Sequence, residues 1–154
     1  MNTIRPWLSI GNYRDTRNLA LLEANRIGAI LQLAERVNHP TIITCYLPIE
    51  DGNALPPAML RQGVDFILDQ YQRGQHVLVA CGAGISRSAS FATAAIKEAE
   101  GSSLLEAVKS VKQHHVDTLL HMTLWTSLCS YYQEEIPFFT MLSALSAVKN
   151  HSPK

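Results

Sequence analysis

With 154 residues, 47% of them hydrophobic and 17% charged, the chain is long enough to bury a core of its own and too apolar to be disordered. Thirteen basic residues cancel thirteen acidic ones, which removes the global field that nucleic acid or an acidic membrane would need in a partner. Three cysteines without paired spacing argue against a disulfide framework and for a reducing compartment, so the cytoplasm is the expected location. No apolar run approaches membrane-spanning length, and Met1 to Trp7 has no signal-peptide architecture. Without repeats or linkers, a single domain over residues 1–150 is expected, with a short tail at 151–154 and a monomeric state.

The first half of the chain reads as strands, near residues 4–10, 28–33, 41–47 and 76–80, each apolar and bounded by turn-forming or charged residues. A short helix is expected from Asp15-Thr16 to Ala24. A second carries Leu60, Val64, Ile67 and Tyr71 as one apolar stripe, with Pro57 in its first turn and Gly74 at its exit. The strand at 76–80 feeds a cysteine loop and then a helix over 87–100. Ala89, Ala92, Ala94, Ala95 and Ala99 crowd that helix, as they would in a central helix packed closely by neighbours. Ser103 and Glu106 form a capping box for the next helix. Asp117 or Thr118 is placed to cap a helix bearing Leu120, Leu124 and Leu128. Pro137 opens a last one with Phe138, Leu142 and Leu145 as its stripe. Strands followed by helices predict an α/β fold: a mostly parallel central sheet of four to five strands flanked by helices, with ligands bound at the carboxyl end of a central strand.

Chemistry concentrates in Val77-Leu78-Val79-Ala80-Cys81-Gly82-Ala83-Gly84-Ile85-Ser86-Arg87-Ser88. A β-branched strand delivers Cys81 into a glycine-bearing loop that turns into a helix. The amide groups of residues 82–87 would form an anion nest at the helix start. Gly82 and Gly84 let the backbone approach phosphate closely, and Ala83, Ile85 and Ser86 contribute further amides. Arg87 adds a planar two-pronged donor, and a cation at a helix start asks for an anion nearby. A thiol among such donors is a candidate nucleophile. Taken alone, Cys81 reads equally well as a buried strand-end cysteine.

Cys81-x5-Arg87-Ser88 resembles the signature of the cysteine-dependent protein phosphatases, and Gly84-Ile85-Ser86-Arg87-Ser88 looks most like their dual-specificity branch. The likeness extends over about residues 3–132, through Ile4 to Gly11, Ile27 to Leu33 and Leu47 to Asp51. It implies a phosphatase-like fold, to which the last helix is an addition, and double displacement without metal or cofactor. Cys81 would attack phosphorus, Arg87 would hold two phosphate oxygens, and Ser88 would donate to the sulfur as it leaves. The resemblance also places the general acid at Asp51, thirty residues before the cysteine, with Gly52 freeing its loop; Glu50 is the immediate rival. One position departs from the pattern. The family's histidine just before the nucleophile, which favours the thiolate, is Ala80 here.

The implied substrate is a phosphorylated protein or peptide carrying phosphotyrosine, and with it phosphoserine or phosphothreonine. Alternatives are a phosphoinositide, nucleotide or RNA end, and a weakly active module that binds phosphorylated partners. The loop positions 82–86 carry no charge to meet a highly anionic substrate. His114, His115, His121 and Cys129 lack zinc-site spacing and read as a solvated helix end. Cys45 reads as a buried strand cysteine, with a disulfide to Cys81 as the competing idea.

Overall fold

A computed structural model describes residues 1–150, and the tail expected at 151–154 lies outside the described residues. Its sheet comprises β1 (Asn2–Arg5), β2 (Leu8–Asn12), β3 (Ile27–Gln32), β4 (Ile43–Tyr46) and β5 (His76–Cys81), in the order β1-β2-β5-β3-β4. β5 runs parallel to β2 and β3, and β4 parallel to β3. Only the edge pairing of β1 with β2 is antiparallel. That hairpin replaces the single strand expected over 4–10. Pro6 has no N–H to give a ladder, so the chain turns at Pro6-Trp7 and Arg5 faces Leu8.

Two short helices, α1 (Tyr13–Thr16) and α2 (Leu19–Ala24), stand where one was expected. Asn12 accepts from the Asp15 N–H and Asn18 from the Leu21 N–H, so a second cap interrupts the run. The others are α3 (Pro57–Gln72), α4 (Arg87–Glu100), α5 (Leu104–His114), α6 (Met122–Tyr132) and α7 (Phe138–Ser146). The Ser103–Glu106 capping box opens α5 as its sequence indicates. Neither Asp117 nor Thr118 caps α6. The Thr118 hydroxyl donates to the His115 carbonyl instead (2.7 Å), and α6 starts later, at Met122. Among the described residues, no helix is long and apolar enough to cross a membrane.

Strand alternation divides the core in two. Val77, Val79 and Cys81 point into the larger core, shared with the helices α3 to α7. Leu78 and Ala80 point the other way, into a small cluster closed by Leu22 of α2, Ile27 and Ile30. In α4 every residue from Ser88 to Ile96 is buried, which is why that helix is so rich in alanine and serine. Its one aromatic, Phe91, is fully buried, and burial on that scale stabilises by about 1.5–3 kcal/mol. A side chain at Gly63 of α3 would meet the Phe91 ring at 2.3 Å, so the α3–α4 contact requires glycine there. α7 packs against α5 and α6 through Met141 and Leu145, with Phe138 and Leu142 half-buried.

Candidate active site

β5 is the central strand, and Cys81 is its last residue, level with Asn12 of β2. The loop 82–86 then turns the chain into α4. Gly84 sits at φ +74°, and a Cβ there would lie 2.8 Å from the Gly11 carbonyl oxygen, so both conformation and space demand glycine. Cys81 is 3% exposed. Its Sγ accepts from the Gly84 N–H at 3.2 Å and lies 3.3 Å from Ser88 Oγ, to which the thiol donates. In the thiolate form the Ser88 hydroxyl can donate back.

Ser86 occupies the N-cap of α4, yet its side chain makes no capping bond. Its Oγ instead accepts from the His121 N–H at 3.0 Å. The first turn of α4, which has no acidic side chain, therefore keeps its orphan amides for another acceptor. Arg87 reaches back across this opening. Its Nη1 donates to the Ile49 carbonyl at 2.7 Å, its Nη2 passes 3.0 Å from where a Gly82 side chain would begin, and its Nε is 3.8 Å from Asp51 Oδ1.

Asp51 arrives by an extension of the sheet. Beyond β4, Leu47 N–H donates to Gln32 O and Ile49 N–H to Leu33 O, both at 2.9 Å. Leu47 and Ile49 bury their side chains and carry the following residues to the carboxyl edge beside the cysteine loop. Asp51 lines the resulting cleft of about 160 Å³ together with Cys81, Ala83, Ile85, Ser86, Arg87, Leu119 and His121. Glu50 is absent from that lining; its carboxylate accepts from Asn53 at 3.1 Å. The cleft is smaller than the roughly 300–1,000 Å³ of drug-sized ligand pockets. It suits a phosphoryl group and the part of the substrate nearest to it.

Ala80 belongs to the opposite face of the sheet, 3% exposed among apolar neighbours. A side chain at that position acts on the cysteine loop only from behind. Cys45 lies on β4, two strands from β5 and level with Val79 rather than Cys81, hence about 11–12 Å from Cys81 at the usual strand spacing and rise and beyond disulfide reach. All three cysteines are free, and burial pushes the Cys45 thiol above its ordinary range.

Of the histidines read as a solvated helix end, His115 is the one that departs from that reading. His114 is exposed at the end of α5, but His115 is buried. Its Nε2 donates to the Gly84 carbonyl at 2.6 Å, and its Nδ1 lies 2.9 Å from the Asn2 side-chain amide. His115 thus ties the cysteine loop to β1. His121 enters the cleft, with Nε2 at 3.3 Å from Asp51 Oδ1. Neither contact has a signature in spacing, because each joins segments far apart in the chain. Among the described residues, no three His, Cys, Asp or Glu side chains converge as a metal would require.

Burial holds the His115 imidazole below its ordinary value of 6.5, against the opposing pull of its bond to Gly84. The unfolded chain therefore takes up this proton at higher pH than the folded one, and stability present above pH 6.5 is lost as the pH falls below it. His76, half-buried at the start of β5, adds to the same trend. Thermal unfolding followed between pH 7.5 and 5.5 is expected to show a falling midpoint, with a shallower fall in His115→Gln; an unchanged slope in that variant would remove His115 as a cause.

The model of the dual specificity phosphatase catalytic domain matches residues 8–134. Human dual specificity protein phosphatase 16 is 37% identical over 117 residues, which cover 71% of this chain and 17% of that protein. Mouse dual specificity protein phosphatase 2 is 34% identical over 114 residues, 71% of this chain and 36% of the relative. The chain thus spans only a minor part of the length of these two relatives. Human DUSP28 superposes with a TM-score of 0.80 at 22% identity, covering 86% of this chain and 96% of that one, which is likeness of fold. A human tyrosine phosphatase-like serine/threonine/tyrosine-interacting protein superposes at 0.79 with 25% identity, covering 86% and 95%. The matched span includes every strand of the site and its cysteine loop, and the chain belongs to the dual specificity phosphatase catalytic-domain family.

Proposed function

We propose that this chain is a metal-independent phosphomonoester hydrolase that works through a cysteinyl-phosphate and acts on phosphotyrosine, and on phosphoserine or phosphothreonine, in proteins. The observation that carries the reading is the meeting of Cys81 Sγ, the uncapped start of α4 and Arg87 in one small cleft. Substrate phosphate takes the amides of residues 82–87 and the guanidinium. Sγ then forms a bond to phosphorus as the ester P–O bond breaks, and protonated Asp51 gives its proton to the departing oxygen. In the second step Asp51 takes a proton from water, whose oxygen bonds to phosphorus while the S–P bond breaks. Ser88 donates to the leaving sulfur, and inorganic phosphate departs.

The rim supports a phosphorylated aromatic side chain. Ile85 and Leu119 are 38% and 51% exposed at the mouth, while among the described residues no lysine lines the cleft to neutralise further phosphates. Three free thiols support the reducing cytoplasm. The test is a panel of phosphotyrosine and phosphothreonine peptides, phosphoinositides and an aryl phosphate, with Cys81→Ser as control. Turnover of the phosphotyrosine peptide is expected; hydrolysis of phosphoinositide alone, or of none, overturns the assignment. Asp51→Asn is expected to lower kcat about 100-fold, the scale of general acid–base catalysis, with KM nearly unchanged. Loss in KM alone would make Asp51 a binding residue.

A further inference from the structure

The link between α5 and α6 touches both halves of the cleft. On the phosphate side, the Leu119 N–H donates to the Ile85 carbonyl at 3.4 Å, and the His121 N–H to Ser86 Oγ at 3.0 Å. On the acid side, the Thr123 hydroxyl donates to the Gly52 carbonyl at 2.9 Å, and His121 Nε2 stands 3.3 Å from Asp51 Oδ1. His121 occupies the N-cap position of α6 without making a side-chain cap bond. Its imidazole is turned to the carboxylate instead.

Asp51 needs such a hold. It is 60% exposed, next to Gly52 at φ +84°; the Thr123 bond to the Gly52 carbonyl fastens the loop backbone but leaves the carboxyl itself free to turn. Left to itself, the carboxyl would sample several rotamers, few of them aimed at the leaving oxygen. In the resting site two side chains stand at ion-pair distance from Oδ1: Arg87 Nε at 3.8 Å and His121 Nε2 at 3.3 Å. Bound phosphate recruits the guanidinium, so during the reaction His121 is the holder that remains. Because its own backbone is fastened to Ser86 in the phosphate loop, it fixes Asp51 relative to the phosphate rather than to Asp51's own loop.

We infer that His121 is a positioning residue for the general acid: it holds Oδ1 of Asp51 and leaves the second oxygen free to carry the proton to the leaving group. This rests on the reading of Asp51 as that acid. The imidazole touches neither phosphorus nor sulfur, and its effect is confined to the step in which the ester oxygen needs a proton.

The test compares phenyl phosphate, whose leaving group needs that proton, with 4-nitrophenyl phosphate, whose leaving group hardly does. The enzymes are the full chain, His121→Leu, His121→Gln, Asp51→Asn and the double variant of His121→Leu with Asp51→Asn. His121→Leu is expected to lower kcat on phenyl phosphate about tenfold, part of the full general-acid contribution, and kcat on the nitrophenyl ester less than about twofold, with KM unmoved. His121→Gln, which keeps a side-chain N–H, is expected to recover most of the loss. In the Asp51→Asn background, His121→Leu is expected to cost nothing further, since both changes remove the same function. Equal losses on the two esters, a loss confined to KM, or a full additional loss in the double variant would each overturn the inference while leaving Asp51 in place. If Asp51→Asn itself turns over phenyl phosphate at the wild-type rate, the acid was misassigned and the inference falls with it.

Discussion

Cys81→Ser is expected to abolish turnover of every substrate, by at least about 10⁴-fold, the scale on which enzymes lose rate when a nucleophile is removed. The reason lies in what surrounds position 81. Its neighbours are hydrogen-bond donors, the Gly84 amide and the Ser88 hydroxyl, which stabilise an anion that is already formed but take no proton from an alcohol. The carboxylate that shares the cleft, Asp51, stands beside Arg87 and His121 instead. A serine hydroxyl, far less acidic than a thiol, would need a base that this place does not offer. Binding should survive, because the amides of the loop and Arg87 are untouched, so a phosphotyrosine peptide titrated calorimetrically into the variant is expected to bind about as tightly as to wild type. Residual turnover within tenfold of wild type would transfer the chemistry to another group.

Arg87→Lys tests the clamp. One guanidinium serves three ends at once: Nη1 on the Ile49 carbonyl, Nη2 over Gly82 at the floor of the loop, and Nε toward Asp51. Lysine keeps the charge but concentrates it at one point, and cannot hold the Ile49 carbonyl while offering two parallel donors to phosphate. Losing one oriented donor to a transition-state oxyanion costs about 10²–10³ in rate, so kcat/KM is expected to fall by about that much. If Arg87→Lys keeps kcat/KM within tenfold, charge alone suffices and the bidentate geometry is not used.

The parts of this fold that could be read in the sequence are those governed by near neighbours. β5, the cysteine loop and α4 are continuous in the chain, and strand alternation alone sends Cys81 and Ala80 to opposite faces of the sheet. The Ser103–Glu106 box and the apolar stripe of α3 are local in the same way. Asp51 reached the site through an interval carried by family resemblance, and its route there, the pairing of Leu47 and Ile49 along β3, is tertiary. The misreadings have physical causes as well. Residues 4–10 read as one strand, but Pro6 makes the turn of a hairpin, and Asn18 was an unrecognised second cap. His115 looked like a solvated helix end because its partner, Gly84, is 31 residues away, and the approach of exposed His121 to Asp51 spans 70. Polar contacts across such separations leave no periodicity to read.

A covalent bond between phosphorus and the sulfur of Cys81 is the event on which the mechanism turns, and it can be caught. Asp51→Asn mixed with excess 4-nitrophenyl phosphate, quenched in acid within its first turnovers and digested, is expected to carry one phosphoryl group on the peptide containing Cys81, since that variant lacks the group that activates water against the intermediate. The adduct should be absent from Cys81→Ser treated alike. Steady turnover with no phosphorylated cysteine, or a phosphoryl group on any other side chain, would contradict the mechanism.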